Sequence, residues 1–220
     1  MLKKLTLVAT AFALTTMLAL PASADTITLG FQEAGVNLGN ITTLGTSITG
    51  ALAFAGSYGT FNVNTVTAQG FPAIPEPDFE TTSIDTSSTT GGTLTVWLTQ
   101  QGLTTPVPSL LSGLTANVFT GAVSSVTETT YVDCSNTLFG TGTQLATHTF
   151  TMIGSTSSIN SVPCLGTYSE TARYDITIGS AGGAANDTIN LQAVPEPASM
   201  VLLGSGLCGV AGLIRRRKLV

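Results

Sequence analysis

Thr93-Leu94-Thr95-Val96-Trp97-Leu98-Thr99 alternates Leu94, Val96 and Leu98 with Thr93, Thr95, Trp97 and Thr99. A period of two sends one set of side chains into a core and the other toward solvent, which is the pattern of a half-buried strand. Thr171 to Ile178 repeats it, with Ala172, Tyr174, Ile176 and Ile178 against Thr171, Arg173, Asp175 and Thr177. Threonine and valine, branched at Cβ, are stiff at χ1 and fit a pleated surface. Weaker runs of the same kind are Thr26–Phe31, Ile48–Ala55, Thr60–Ala68, Ala116–Thr120, Val126–Val132, Leu145–Ile153 and Thr188–Ala193. Turn signals separate them at Gly56-Ser57, Gly91-Gly92, Gly140-Thr141-Gly142 and Gly179 to Gly183. About nine short strands predict an all-β fold, an antiparallel β-sandwich of jelly-roll or immunoglobulin-like type. No βαβ rhythm of about 30 residues is present to build a parallel sheet, and no fixed period supports a solenoid. Phe71 to Gly92, with three prolines and many Ser and Thr, reads as a long surface loop.

Outward from this core the charge distribution changes sharply. Only 9% of the 220 residues are charged, against about 25% in ordinary soluble proteins. A hydrophobic fraction of 43% and a mean hydropathy of +0.40 suit neither a polar disordered chain nor a multi-span membrane protein. Of seven Lys and Arg, Lys3 and Lys4 stand at the start and Arg215, Arg216, Arg217 and Lys218 at the end, leaving Arg173 alone between them. A nucleic-acid partner, which demands several phosphate-neutralising cations, does not fit. Eleven of the twelve acids lie in the central segment. Such an anionic body is expected to stay soluble by self-repulsion and would meet any polyanion through hydroxyls or bridging cations.

The ends read as addresses. Residues 1–24 form a signal peptide: Lys3 and Lys4, an apolar run from Leu5 to Leu20, then Pro21 and the small residues Ala22 and Ala24, which place cleavage before Asp25. Residues 25–193 form the β-sandwich domain. Residues 194–220 begin with Pro195, Glu196 and Pro197, which hold the backbone extended without local hydrogen bonds. Ala198 to Ile214 is an apolar run long enough to cross a bilayer as a transmembrane helix. The adjoining basic cluster Arg215, Arg216, Arg217 and Lys218 keeps its end in the cytoplasm and the body outside. A Pro-Glu-Pro tripeptide, a Gly-rich apolar span and a terminal Arg cluster, in that order, resemble the PEP-CTERM sorting signal. The resemblance implies a Gram-negative bacterium that makes exopolysaccharide, passage through the inner membrane with the body in the periplasm, and removal of the tail by an exosortase. It covers only this C-terminal segment. Pro75-Glu76-Pro77 lacks a following span and reads as part of a loop.

Of three cysteines, Cys208 lies in the apolar run, leaving Cys134 and Cys164 as a disulfide candidate in an oxidising compartment. His148 is the one histidine; in a strand it shares a face with Phe150 and Met152 and reads as a packed or rim residue rather than a base. No H-E-x-x-H zinc site and no G-x-S-x-G elbow occurs. Gly204 to Gly209 satisfies G-x-G-x-x-G literally but sits inside the apolar run, where small residues serve helix contact. Glu76, Asp78 and Glu80, with Asp85 nearby, are the one acidic cluster; three carboxylates at alternate positions could take Ca²⁺, but the spacing is not that of an EF-hand and a solvated acidic loop is the default reading. No other cofactor is indicated. Trp97, Tyr58, Tyr131, Tyr168 and Tyr174 are too scattered in sequence to name a sugar platform. The reading is a non-enzymatic exported surface or extracellular-matrix protein, structural or adhesive in the exopolysaccharide of a biofilm; a carbohydrate-binding module is the alternative and a secreted hydrolase the third.

Overall fold

A computed structural model describes residues 25–194. The signal peptide with Ala22 and Ala24, Pro195, Glu196 and Pro197, the apolar run with Cys208, and the basic cluster lie outside the described residues. Ten strands follow one another: β1 (Thr26–Glu33), β2 (Thr42–Ser47), β3 (Ala51–Tyr58), β4 (Phe61–Gln69), β5 (Phe79–Ser88), β6 (Gly92–Leu103), β7 (Ser109–Asp133), β8 (Thr143–Phe150), β9 (Gly154–Ser161) and β10 (Tyr168–Ala193). Every pairing is antiparallel. A short 3-10 turn, Asn37–Gly39, interrupts the loop after β1.

All ten strands belong to one hydrogen-bonded sheet, ordered β2-β1-β6-β10-β5-β4-β3, with β7 joined to β8, β9 and β10. The separate sheets of a jelly-roll or immunoglobulin-like sandwich are here made continuous by two long strands. Tyr168 to Ile178 of β10 pairs with β6 and with the second half of β7, whereas Gly183 to Ala193 pairs with β5 and the first half of β7. The first layer is therefore β2-β1-β6-β10-β7-β8 and the second β3-β4-β5-β10-β7-β9. Where both strands fold over, Gly121 and Gly182 have φ of 69° and 77°. A Cβ at Gly121 would stand 2.6 Å from the Gly182 carbonyl oxygen, and one at Gly183 would stand 2.6 Å from that of Thr120. Two backbones this close admit only glycine at the corner.

That corner corrects several expectations. Gly179 to Gly183 bends a strand instead of ending it, so Thr171–Ile178 and Thr188–Ala193 belong to one strand, as do Ala116–Thr120 and Val126–Val132. The loop expected over Phe71 to Gly92 stops at Asp78, and Phe79–Ser88 is the strand β5. It was disguised because Thr81, Thr86 and Ser88 hold inward positions beside Phe79 and Ile84. The alternation read in β6 and β10 survives: Leu94, Val96, Leu98, Ala172, Tyr174, Ile176 and Ile178 are all buried in the core between the layers. Opposite them, the first layer's outer face carries cross-strand threonine pairs, Thr93–Thr177 at 3.1 Å, Thr99–Thr171 at 2.9 Å, Thr127–Thr149 at 2.8 Å and Thr129–Thr147 at 2.9 Å. The threonine-rich composition thus becomes a lateral hydroxyl network.

Candidate functional site

On this outer face the lone cation of the domain meets its lone tryptophan. Trp97 and Arg173 are direct register partners on β6 and β10, and outward parity puts both side chains over the sheet. The Arg173 guanidinium carbon lies 4.9 Å from the Trp97 ring centroid, a cation–π contact. Arg173 Nη2 donates to Asp175 Oδ1 at 2.9 Å, and its Nε lies 2.9 Å from Oδ2. Thr95 Oγ1 donates to the same Oδ1 at 2.6 Å. Trp97 Nε1 donates to Gln32 Oε1 at 3.2 Å, and Gln32 Nε2 donates to the Gly39 carbonyl at 2.8 Å. Burial works against the Arg173 charge, but Asp175 and the Tyr131 hydroxyl more than offset it, so the guanidinium titrates above its usual range. Gln32, Ala34, Gly39, Thr93, Thr95 and Arg173 line a groove of about 280 Å³. The Arg173 and Asp175 side chains remain 34% and 20% exposed, so both reach its solvent.

A flap covers Trp97 from its other side. Cys134 and Cys164 form a disulfide with Cα atoms 5.0 Å apart, fixing the start of the loop between β7 and β8. Asn136 Oδ1 accepts from the Gly102 amide at 2.9 Å, and the Asn136 carbonyl accepts from Gln101 Nε2 at 2.8 Å. The Phe139 amide donates to Thr99 Oγ1 at 3.2 Å, and the Phe139 ring stacks obliquely on Trp97 at 6.2 Å. Gly30 makes this close approach feasible, since a Cβ there would lie 2.6 Å from the Phe139 ring. Of the five scattered aromatics, Trp97 and Tyr131 thus share this face, while Tyr58, Tyr168 and Tyr174 are buried in the core. The available signal was Arg173, the body's only cation, outward on the same strand as Asp175.

The carboxylates divide differently from their sequence grouping. Glu76 Oε1 accepts from the Thr104 and Thr105 amides, and Asp78 Oδ1 accepts from the Ala193 amide at 2.9 Å. Glu80 and Asp85 lie on β5, whose pairing separates them from that turn. Among the described residues no three His, Cys, Asp or Glu side chains converge as a ready-made metal centre. Sequence reading missed the inward acids Glu128, Glu170 and Asp187, each fully buried and without a well-formed hydrogen bond, the Thr115 amide near Glu128 and the Tyr174 hydroxyl near Asp187 giving only partial relief. Asp25, expected to begin the mature chain, is also buried and accepts from Gln100 Nε2 at 3.2 Å. Burial pushes its carboxyl up to about 6, the Gln100 bond opposing and the Glu76 charge adding to it. His148 is an exposed rim residue on β8, its ring 4.5 Å from that of Phe150; its register partner Glu128 has no solvent exposure.

Residues 193–218 match the PEP-CTERM protein-sorting motif, the mark of an exported protein with a C-terminal membrane anchor before processing. No curated protein matches the chain. Among solved structures the described fold is similar to TmCBM61 in complex with β-1,4-galactotriose, at 7% identity, TM-score 0.35 and coverage of 66% of this chain and 88% of that one. It is similar to the K1 cleaved adhesin domain of Lys-gingipain from Porphyromonas gingivalis, at 12% identity, TM-score 0.35 and coverage of 66% and 99%. It is also similar to the Epithelial Adhesin 9 A domain of Candida glabrata in complex with Galβ1-3GlcNAc, at 8% identity, TM-score 0.36 and coverage of 81% and 87%. The likeness is one of strand arrangement alone. Among the described residues no helix is long and apolar enough to cross a membrane.

Proposed function

With a sorting motif at the end of the chain as the premise, we propose that this is a non-enzymatic exported protein, handed to an exosortase at the inner membrane and placed at the cell surface or in the extracellular matrix. Its sandwich acts there as an adhesive element that holds a glycan of the exopolysaccharide layer in the groove beside Trp97. The observation that carries this reading is the groove itself: Gln32, Thr95 and Arg173 line it with donors and acceptors, above a Trp97 ring that is buried against Arg173 and Phe139. Sugar hydroxyls are recognised by a few such placed polar groups in a concave site. The hydrolase reading is the weaker one: His148 is exposed at the rim, and its register partner Glu128 is fully buried.

A glycan array followed by titration tests the groove. Gln32→Ala and Arg173→Ala are each expected to weaken binding about tenfold, equivalent to about 1.4 kcal/mol, while the chain stays folded. Unchanged affinity in both variants would remove the groove from the function. The route is tested separately by mass spectrometry of the exported protein from cells that possess the sorting enzyme. The expected mature product begins at Asp25 and lacks Arg215 to Val220; a product retaining that tail would sink the exosortase step.

A further inference from the structure

Each layer of the sandwich ends at two strands that have a single hydrogen-bonded neighbour. On one side β2 pairs only with β1 and β3 only with β4; on the other, β8 and β9 each pair only with β7. A strand with one neighbour offers every second N–H and C=O to whatever extended chain comes alongside, and folded proteins blunt such edges with lysine, proline, inward charge or bulges. Charge is missing from all four of these strands, since no Asp, Glu, Lys or Arg occurs between Glu33 and Glu76 or between Asp133 and Glu170. Bulges distinguish them. Leu44 in β2, Ala55 in β3 and Leu145 in β8 each fall at a register shift, where the extra residue bends the strand and interrupts its ladder. β9 has no such break: Gly154 to Ser161 faces Ala116 to Ser109 in eight consecutive pairs.

Exposure singles out the same strand. Six of the eight residues of β9 are exposed, Ile159 at 60%, and the turn leading into it carries Met152 and Ile153 at 71% and 62%. Register with the buried Leu110, Ser112 and Leu114 puts Thr156, Ser158 and Asn160 on the inner face, so Ser155, Ser157 and Ile159 lie on the outer one. The acids that reach solvent, Glu76, Asp78, Glu80, Asp85, Asp133 and Asp175, stand on or next to β5, β7 and β10. Two copies of so anionic a domain repel one another through those strands, and an uncharged edge is where they can approach. We propose that the protein self-associates by antiparallel pairing of β9 with the β9 of a second copy, which continues the second layer across a two-fold axis. Outward amides must meet outward carbonyls, so each residue pairs with one of its own parity and the axis passes through a residue, Ser157 or Ser158 at the middle of the strand. Small hydroxyl side chains leave that approach open, and Ile159 of each copy flanks the axis as its apolar contact. The groove beside Trp97 lies on the outer face of the first layer and stays open in both copies, so the association holds whatever the groove binds.

A contact one strand long is small beside the roughly 1,200–2,000 Å² of stable interfaces, so the dimer is reversible, with a dissociation constant on the order of 10 μM. Sedimentation of the exported protein from about 1 μM to about 500 μM, a range that brackets this value, is expected to show monomer passing into dimer. Hydrogen exchange supplies the local signature: amides within Gly154–Ser161 that exchange freely in dilute protein become protected in concentrated protein, and those of β3 do not change. Ser157→Glu sets two like charges at the axis and is expected to weaken association about tenfold or more without lowering the melting temperature, because the side chain points outward. Ala53→Glu, exposed on β3, leaves association as in wild type. A protein that stays monomeric across the range overturns the proposal and leaves the edge to an extended segment of another protein. Dimers that survive Ser157→Glu, or that break with Ala53→Glu and protect β3 instead, overturn it as well.

Discussion

Replacing Glu128 by Gln and Asp187 by Asn together is expected to raise the unfolding free energy at pH 8 by roughly 3 kcal/mol, the scale of relieving buried unpartnered charge. The two carboxyls lie on inner faces of opposite layers, Glu128 on β7 opposite Tyr174 and Asp187 on β10 opposite Ala116. Burial, then the Asp187 charge, pushes Glu128 up to about 9. Burial also pushes Asp187 up to about 7, the Tyr174 hydroxyl opposing and the Asp85 charge adding to it. Both values exceed those of the unfolded chain, so the native state retains protons that the unfolded state releases. Stability must then fall as pH rises, between about pH 4 and 7 for Asp187 and between about pH 4.5 and 9 for Glu128. Thermal unfolding from pH 4 to 9 should show a melting point highest near the acid end in wild type and a much flatter profile in the double variant. A flat wild-type profile, or a double variant less stable at pH 8, would refute the account.

The second large effect concerns the flap. A Cys134→Ser, Cys164→Ser protein is expected to lose about 3–4 kcal/mol in the chain-entropy account of a cross-link, since the bridge closes a separation of 30 residues. For a domain of this size that is a fall of roughly 10 °C in melting temperature. The loss has a local signature as well. Phe139 covers Trp97 and Gly30, and Thr137 and Asn136 bond to Ser169, Gln101 and Gly102, so untethering this loop should red-shift tryptophan emission before global unfolding. Denaturant titration with fluorescence detection measures both. A destabilisation under about 1 kcal/mol, with unshifted emission, would mean that the Asn136 bonds alone hold the flap.

What could be read beforehand follows from where parity and chemistry agree. In β6 and the first half of β10, apolar residues occupy every inward position from Leu94 to Leu98 and from Ala172 to Ile178, so the period of two was visible. In β5 and β9, hydroxyl residues stand on both faces, and alternation between Ser and Thr carries no such signal. The disulfide needed only two exported cysteines. The interior acids were in principle legible, because Glu128 shares parity with Val126 and Val132, and Asp187 with Ala185 and Ile189. Their isolation from cations was equally plain. The groove was not, because opposing Trp97 to Arg173 depends on the pairing of β6 with β10 across a sequence separation of 76, and local pattern does not encode a partner. The corner of β7 and β10 was misread for a related reason: glycine marks a break in most strands, and here it allows two of them to continue.

Asp25 and Ala193 both lie at the pole where Asp78 accepts the Ala193 amide and Gln100 bonds Asp25. From Asp25 to Gln32, the first groove residue on β1, is seven residues, or roughly 23 Å of extended strand. The polypeptide therefore enters and departs by the same doorway, and the groove opens at the far end. Severing the chain on either side of that doorway leaves every strand pairing intact, so the folded body can pass from one mooring to another like a lamp moved between sockets, its working face turned away from the support each time.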